Sequence, residues 1–384
     1  MNAPEPPIPV YEPLLNGNEQ RYLAEALNSG WVSSEGPFVE RFEAAMARQV
    51  TRTHGVAVSS GTMALQIALQ ALDLPDGSEV IIPAFTIISV ALAVIRCGCV
   101  PVLVDADPHT WNMDVNKIEA VITADTRAIV MVHTYGLPCD VRPIMDLAQE
   151  HELFVVEDAA QMHGQTYCDA PCGSFGDVSI FSFYANKLVT TGEGGMVLTN
   201  SPALADRCRH LRNLAHSRQR FVHSEHAWNA RMTNLQAAVG CAQLERLDDF
   251  VAIKRRIGRT YYGELLCDLP GVQLPVRSTG YAGNIYWAYG MVLDNSRNPN
   301  READTVMALL QARGIGTRPF FCPMNQQRPL LRHLKKEQVR EVNGPSLFPI
   351  ADRLYDQGFY LPGGLTLNDA DLVRVADALR EVLR

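Results

Sequence analysis

Between residues 55 and 158, five short apolar runs alternate with four segments of helical periodicity, and this restricts the chain to a narrow set of folds. Strands are expected at Gly55–Ser59, Glu79–Pro83, Val100–Asp105, Ala128–His133 and Leu153–Asp158, and helices at Thr62–Leu72, Ile87–Cys97, Val115–Thr123 and Val141–His151. Strands of this kind, joined through helices, form a parallel sheet, because each parallel pair needs a crossover connection. The pattern predicts an α/β fold with a mostly parallel mixed sheet flanked by helices. Ligands then gather at the C-terminal ends of the strands.

Two further strands, Asp177–Tyr184 and Gly195–Thr199, flank a glycine-rich turn, and a helix over Pro202–Leu214 leads to a polar loop with His216, Arg218, Arg220 and His223. Thr233–Leu269 reads as helical over most of its length. Beyond it, strands at Ile285–Leu293 and Thr317–Phe321 mix with helices at Arg301–Arg313 and Asn368–Leu383. An extended arm and a helix over Asn18–Asn28 open the chain. The 384 residues therefore divide into an arm plus a large α/β domain (1–245) and a small C-terminal α+β domain (246–384).

A net charge of −8, from 34 basic and 42 acidic residues, argues against general nucleic-acid binding. Cys97 and Cys99, and Cys168 and Cys172, are close in sequence, but neither pair is followed by a second pair at zinc-site spacing, so no metal is expected. Nine cysteines without a disulfide pattern suit reduced thiols and a cytoplasmic location. The opening MNAPEPPIPVYEP lacks the basic and apolar regions of a signal peptide, and the apolar stretches are too short or too interrupted to span a bilayer.

The chemistry concentrates at Lys187, in FSFYANKLVTTGEGG, where one cation follows an apolar run and precedes a glycine-rich turn. A desolvated lysine loses proton affinity and becomes a nucleophile toward carbonyls, whereas a solvated turn lysine does neither. Asp158, 29 residues upstream, ends the apolar run LFVV-ED. A strand-end carboxylate can pair with a pyridinium nitrogen, and it can equally cap a following helix. Together the two groups are what pyridoxal 5′-phosphate requires. Ser59–Gly61–Thr62, where a strand gives way to a helix, suits a phosphate or an ordinary N-cap. Ser182 suits the same phosphate or a core serine bonded to backbone. Gln161 is placed to reach the cofactor's ring hydroxyl, and Glu157, on the alternate face, is expected to be structural. Glu193 and His163 are nearby candidates for assisting proton transfer.

The chain resembles the DegT/StrS family of nucleotide-sugar aminotransferases, within pyridoxal-phosphate fold type I. The resemblance rests on GWVSSEGPFVERFE (Gly30–Glu43), SSGTMAL, VHTYG (Val132–Gly136), VVEDAAQMHG (Val155–Gly164), FSFYANKLVTTGEGG (Phe181–Gly195) and WNARMTNLQAAVGCAQLERLD (Trp228–Asp248). It implies Lys187 as the Schiff-base lysine and proton shuttle, Asp158 on the pyridine nitrogen and Gln161 on the ring oxygen. It further implies a phosphate cup of Gly61, Thr62 and Ser182, completed by Asn229 from the other subunit of a homodimer. Arg231 resembles a residue that receives the amino donor's carboxylate. Trp31, Glu193, Arg318 and Phe320 are further expected substrate contacts. Relatives that dehydrate sugars carry histidine in place of this lysine, so Lys187 implies transamination. Ile87 stands where most members have an aromatic residue that stacks on the cofactor ring.

Three segments, CGCVPVLVDAD, NIYWAYGMVL (Asn284–Leu293) and TRPFFCPMNQQRP (Thr317–Pro329), resemble the members that aminate C4 of GDP-4-keto-6-deoxymannose with L-glutamate. Arg218, Arg220 and Arg318 are candidate diphosphate contacts or solvated loop arginines. A dTDP- or UDP-linked keto sugar, amination at C3, and a non-catalytic cofactor-binding regulator are the alternatives. O-antigen or natural-product glycosylation is the destination that the resemblance implies.

Overall fold

The computed structural model describes residues 6–219, 221–294, 302–339 and 345–384. The main sheet uses β1 (His54–Val58), β2 (Glu79–Pro83), β3 (Val100–Val104), β4 (Thr126–Val132), β5 (Phe154–Asp158), β8 (Val178–Ser182) and β9 (Gly195–Thr199); β6 (Thr166–Tyr167) and β7 (Ala170–Pro171) form a small hairpin. Its order is β1-β9-β8-β5-β4-β2-β3. The β3/β2, β2/β4, β4/β5 and β5/β8 pairs are parallel, and β9 runs antiparallel to both β8 and β1. A mostly parallel mixed sheet is therefore the observed architecture, as expected.

Strand residues alternate between two helical layers, as the period of two requires. Val56, Val130, Val156, Ile180 and Val197 pack toward α3 (Gly61–Ala71), α4 (Ser89–Arg96) and α6 (Pro202–Arg212). Ala57, Ile129, Val155, Phe181 and Met196 pack toward α1 (Glu19–Asn28), α2 (Pro37–Gln49), α5 (Val141–Glu150) and α7 (Asn234–Leu244). The same alternation separates Asp158, at the cavity end of β5, from Glu157. The Glu157 carboxylate is sealed on the far face, where it accepts the Gly173 and Phe175 amides at 2.5 and 2.8 Å and contacts His133 Nε2 at 3.0 Å.

A second, four-stranded sheet has the order β10-β11-β13-β12. It comprises β10 (Val272–Gln273), β11 (Tyr289–Leu293), β12 (Arg318–Pro319) and β13 (Gly358–Leu361). Its core is shared with α8 (Leu247–Thr260), α9 (Ala303–Gln311) and α11 (Asp369–Leu383), while α10 (Pro349–Gln357) packs on β13 and β11. The two sheets thus lie on opposite sides of residue 245 in sequence.

Three expected elements differ. Val115–Thr123 forms two short 3-10 turns, Val115–Lys117 and Glu119–Val121, rather than an α-helix. Asp114 caps the first through the Asn116 amide, and the β-branched Val121, Ile122 and Thr123 disfavour continuation. Strand β11 begins only at Tyr289, because Ile285 and Ala288 donate instead to the carbonyls of Gly136 and Tyr135. The long helical stretch after Thr233 breaks between Leu244 and Leu247 and ends in a π-turn at Tyr261–Leu265.

Candidate active site

The segments that follow the C-terminal ends of β1, β2, β5 and β8 border one cavity of about 1010 Å³, open to solvent at its mouth. Gly61, Thr62, Asp158, Gln161, Ser182 and Lys187 all line it. These six residues span more than 120 positions of sequence, and the parallel sheet brings them together by ending its strands on one side.

One end of the cavity is an anion seat. Ser60 adopts extended backbone and its hydroxyl caps α3 by accepting the Met63 amide at 3.2 Å. The first amides of a helix have no partner within it, and they carry the positive end of the helix dipole. Gly61 and Ser182 are in close contact: a Cβ at position 61 would lie 2.7 Å from Ser182 Cβ and 2.9 Å from its Oγ. At Gly195, opening β9, a Cβ would sit 2.3 Å from the Ser60 carbonyl oxygen. The absence of side chains at both positions lets β8, β9 and the start of α3 close around the seat.

The other end holds the titratable groups. Asp158 is 3% exposed, and its Oδ1 accepts the Ala160 amide at 3.0 Å. No helix follows it, so the capping alternative is realised only as a turn. Burial raises its proton affinity, opposed by the Ala160 amide and the positive charges of Lys187 and His133. Gln161 Oε1 accepts the Tyr135 amide at 2.5 Å, which commits the oxygen to backbone and leaves the amide N–H groups as the donors available to the cavity. Burial lowers the Lys187 ammonium to about 8 against the opposing attraction of Asp158. Its Nζ lies 4.2 Å from the centroid of the Trp287 ring. An amine with an accessible free-base form thus shares a cavity with a buried carboxylate and an anion seat.

Ile87, Glu193 and Arg318 also line the cavity. Other candidate residues do not line the cavity of their own chain. Phe320 is 3% exposed and packs against Trp111 and Tyr135 at 5.3 and 4.8 Å, whereas Phe321 faces the cavity. The bond from Phe320 N to the Gly358 carbonyl, at 3.0 Å, fixes this register. Trp31 is 51% exposed and outside the cavity of its own chain. Asn229 is exposed and accepts Arg231 Nε at 2.9 Å, while Arg231 also donates to Asn213 at 2.8 Å, and neither Asn229 nor Arg231 reaches the cavity of its own chain. Arg218 is exposed and outside the cavity, and Arg220 lies outside the described residues. His163 is sealed against Phe181 and Phe183 outside the cavity lining, and burial together with the Lys187 charge pushes its ring down to about 3.

Tyr184, Asn186, Trp287, Phe321 and Tyr360 join the wall without having been singled out individually from the sequence. Trp287 lies in the NIYWAYG segment, and its indole N–H donates to the Asn186 carbonyl at 3.0 Å, tying it to the lysine turn. All nine cysteines are free thiols, and no helix among the described residues is long and apolar enough to cross a membrane.

Residues 13–380 match the DegT/DnrJ/EryC1/StrS aminotransferase family. A GDP-perosamine synthase of Caulobacter vibrioides is 41% identical over 380 residues, covering 98% of this chain and 99% of its own. A GDP-perosamine synthase of Vibrio cholerae is 37% identical over 374 residues, covering 97% and 98%. The crystal structure of S. venezuelae DesV in complex with a ketimine intermediate superposes with a TM-score of 0.88 at 32% identity, covering 99% of this chain and 100% of that one. The chain belongs to the DegT/DnrJ/EryC1/StrS aminotransferase family and is a pyridoxal phosphate-dependent aminotransferase.

Proposed function

We propose that the protein transfers the amino group of L-glutamate to GDP-4-keto-6-deoxy-D-mannose, giving GDP-perosamine. The observation that carries the chemistry is the shared cavity of Lys187, Asp158 and the α3 anion seat. The nucleotide and sugar rest on nearly full-length identity of 37–41% to two GDP-perosamine synthases.

The donor set fits the cofactor. The α3 amides at Gly61 and Thr62, with the Ser182 hydroxyl, would hold the phosphate dianion. Asp158 would keep a proton on the pyridine nitrogen, and the Gln161 amide would donate to the ring oxygen. Ile87 would offer the ring an aliphatic contact. Bound there, pyridoxal phosphate supplies an aldehyde that receives the donor's amine and a ring that withdraws electrons once its nitrogen is protonated.

Lys187, as a free amine, would carry the proton between the substrate carbon and the cofactor C4′ carbon in each half of the reaction, and its lowered proton affinity suits that exchange. Besides Lys187, Arg318 is the cationic residue lining the cavity among the described residues, and it offers a charge for the glutamate carboxylate or the diphosphate. Arg231 is engaged by two asparagines of its own chain, so we assign it, with Asn229, to the cavity of the partner subunit in a homodimer. The same reading keeps a large domain over 1–245 and a small one over 246–384. It places the enzyme in the cytoplasm, supplying an amino sugar for O-antigen or related glycosylation.

A panel of GDP-, dTDP- and UDP-linked 4-keto sugars with glutamate tests this reading. The purified protein should be yellow, lose the colour with glutamate and regain it with the GDP sugar. Turnover of dTDP or UDP substrates with none of the GDP substrate would overturn the sugar assignment. Colour that no amino donor changes would favour a regulatory role.

A further inference from the structure

Lys254 is a second buried amine, and no step of the proposed chemistry uses it. It projects from α8 with 2% exposure, and burial pushes its ammonium down to about 7. Among the described residues it forms no ion pair; its polar partner is the Gly363 carbonyl at 2.6 Å. An apolar side chain of similar length would fill the same space without the desolvation cost, so the amine itself needs an explanation.

Its surroundings supply one. Lys254 Nζ stands 5.1 Å from the centroid of the Tyr11 ring, in the N-terminal arm. Tyr11 stacks on Trp287 at 5.7 Å and 26°, and Trp287 in turn lies 4.2 Å from Lys187 Nζ. The residue that accepts from Lys254 also fastens the arm, because Gly363 N donates to the Val10 carbonyl at 3.0 Å. Lys254, Tyr11, Trp287 and Lys187 border one narrow crevice. The two amines therefore sit at opposite ends of a stacked aromatic pair, one holding the arm and the other facing the reaction cavity.

We propose that Lys254 is a positioning residue for Lys187: it clamps Tyr11 and the Gly363 loop beneath Trp287, and the ring held there excludes water from the reacting amine. The ammonium supplies a charge-assisted bond to one side of the junction and a cation–π contact to the other. Losing it lets the arm recede and the ring follow. Water then reaches Lys187 and relieves the desolvation that depresses its proton affinity.

The inference takes Lys187 as the reacting amine. Its test reads that amine in the full-length protein stripped of cofactor, so neither turnover nor substrate choice enters. The pH dependence of dinitrophenylation at Lys187, followed by peptide mass spectrometry, gives the titration midpoint. Amide exchange of residues 8–14 reports the arm. In Lys254→Met the midpoint should rise by about half a unit or more toward the ordinary lysine value. Exchange in the arm should accelerate about tenfold. Gly363→Ala keeps the lysine but places a methyl 3.0 Å from Nζ, and should raise the midpoint by a smaller step. Lys254→Arg, which can still donate and stack, should restore part of the shift. An unmoved or lowered midpoint in folded Lys254→Met overturns the proposal. If that variant does not fold, the same result in Gly363→Ala does so.

Discussion

Lys187 Nζ rests 4.2 Å from the centroid of Trp287, and the indole N–H of that ring is bonded to the carbonyl of Asn186, the residue before the lysine. The turn thus carries its own anchor to the ring that covers its amine. A cation over an aromatic face is favoured and raises proton affinity, but burial is the larger influence and the ammonium falls to about 8.

This sets a pH dependence. Lys187 must lose its proton before it can attack the cofactor's aldehyde. The rate at which cofactor-free protein captures pyridoxal phosphate should therefore rise about tenfold per pH unit below about 8 and level off above it. Stopped-flow absorbance across pH 6 to 10 measures it. A midpoint near the ordinary value of about 10.4 would show that the amine is solvated. In Lys187→Ala, turnover should fall by about 10²-fold or more while the circular dichroism stays unchanged.

Gly61 is expected to tolerate no side chain. The methyl of Gly61→Ala would lie 2.7 Å from Ser182 Cβ, so either β8 or the start of α3 must shift, and both belong to the anion seat. Cofactor affinity should drop about 10–100-fold, the loss of one or two charge-assisted bonds. Equilibrium dialysis measures it, and affinity like that of the parent protein would remove the α3 terminus from the phosphate assignment.

The parts of the site that the sequence made legible are those on the parallel sheet. Asp158 and Ser182 end strands whose alternation and length can be read locally, and Lys187 stands out because its neighbours are apolar. The aromatic wall was harder to read. Trp287 and Tyr360 lie 100 and 173 positions beyond Lys187; the Trp287 segment reads as a strand of a small domain, and the sequence around Tyr360 carries no clear element of its own. Their place at the cavity depends on how the second sheet docks, which local periodicity does not encode. The inward placement of Phe320 has the same origin. In a two-residue strand such as β12, alternation has too little length to show which phenylalanine faces inward, and pairing with β13 decides it.

That register gives a paired prediction. Phe320→Ala removes a core ring in contact with Phe85, Trp111 and Tyr135, and should lower stability by about 3–5 kcal/mol with little change in KM for the folded fraction. Phe321→Ala opens the cavity wall and should raise KM for the sugar about threefold to tenfold, with a smaller loss of stability. Thermal denaturation and steady-state kinetics on both variants check this. The opposite pattern would mean that the expected assignment of Phe320 was right.

Asn229 supplies the test of the assembly. It is exposed, does not line the cavity of its own chain and is held by Arg231. If it completes the anion seat of a partner, Asn229→Asp places a negative charge beside the phosphate and should nearly abolish activity, as Lys187→Ala does by removing the amine. Each variant then damages the site through a different subunit. Mixed, unfolded and refolded together, the two should form heterodimers in which one site carries both substitutions and the other carries neither. Random pairing makes about half the dimers mixed, so about a quarter of parental activity should return. Recovery with that stoichiometry requires a shared site. If Asn229 served only its own chain, each site would keep one lesion in every pairing, and activity in the mixture would stay at the level of the separate variants.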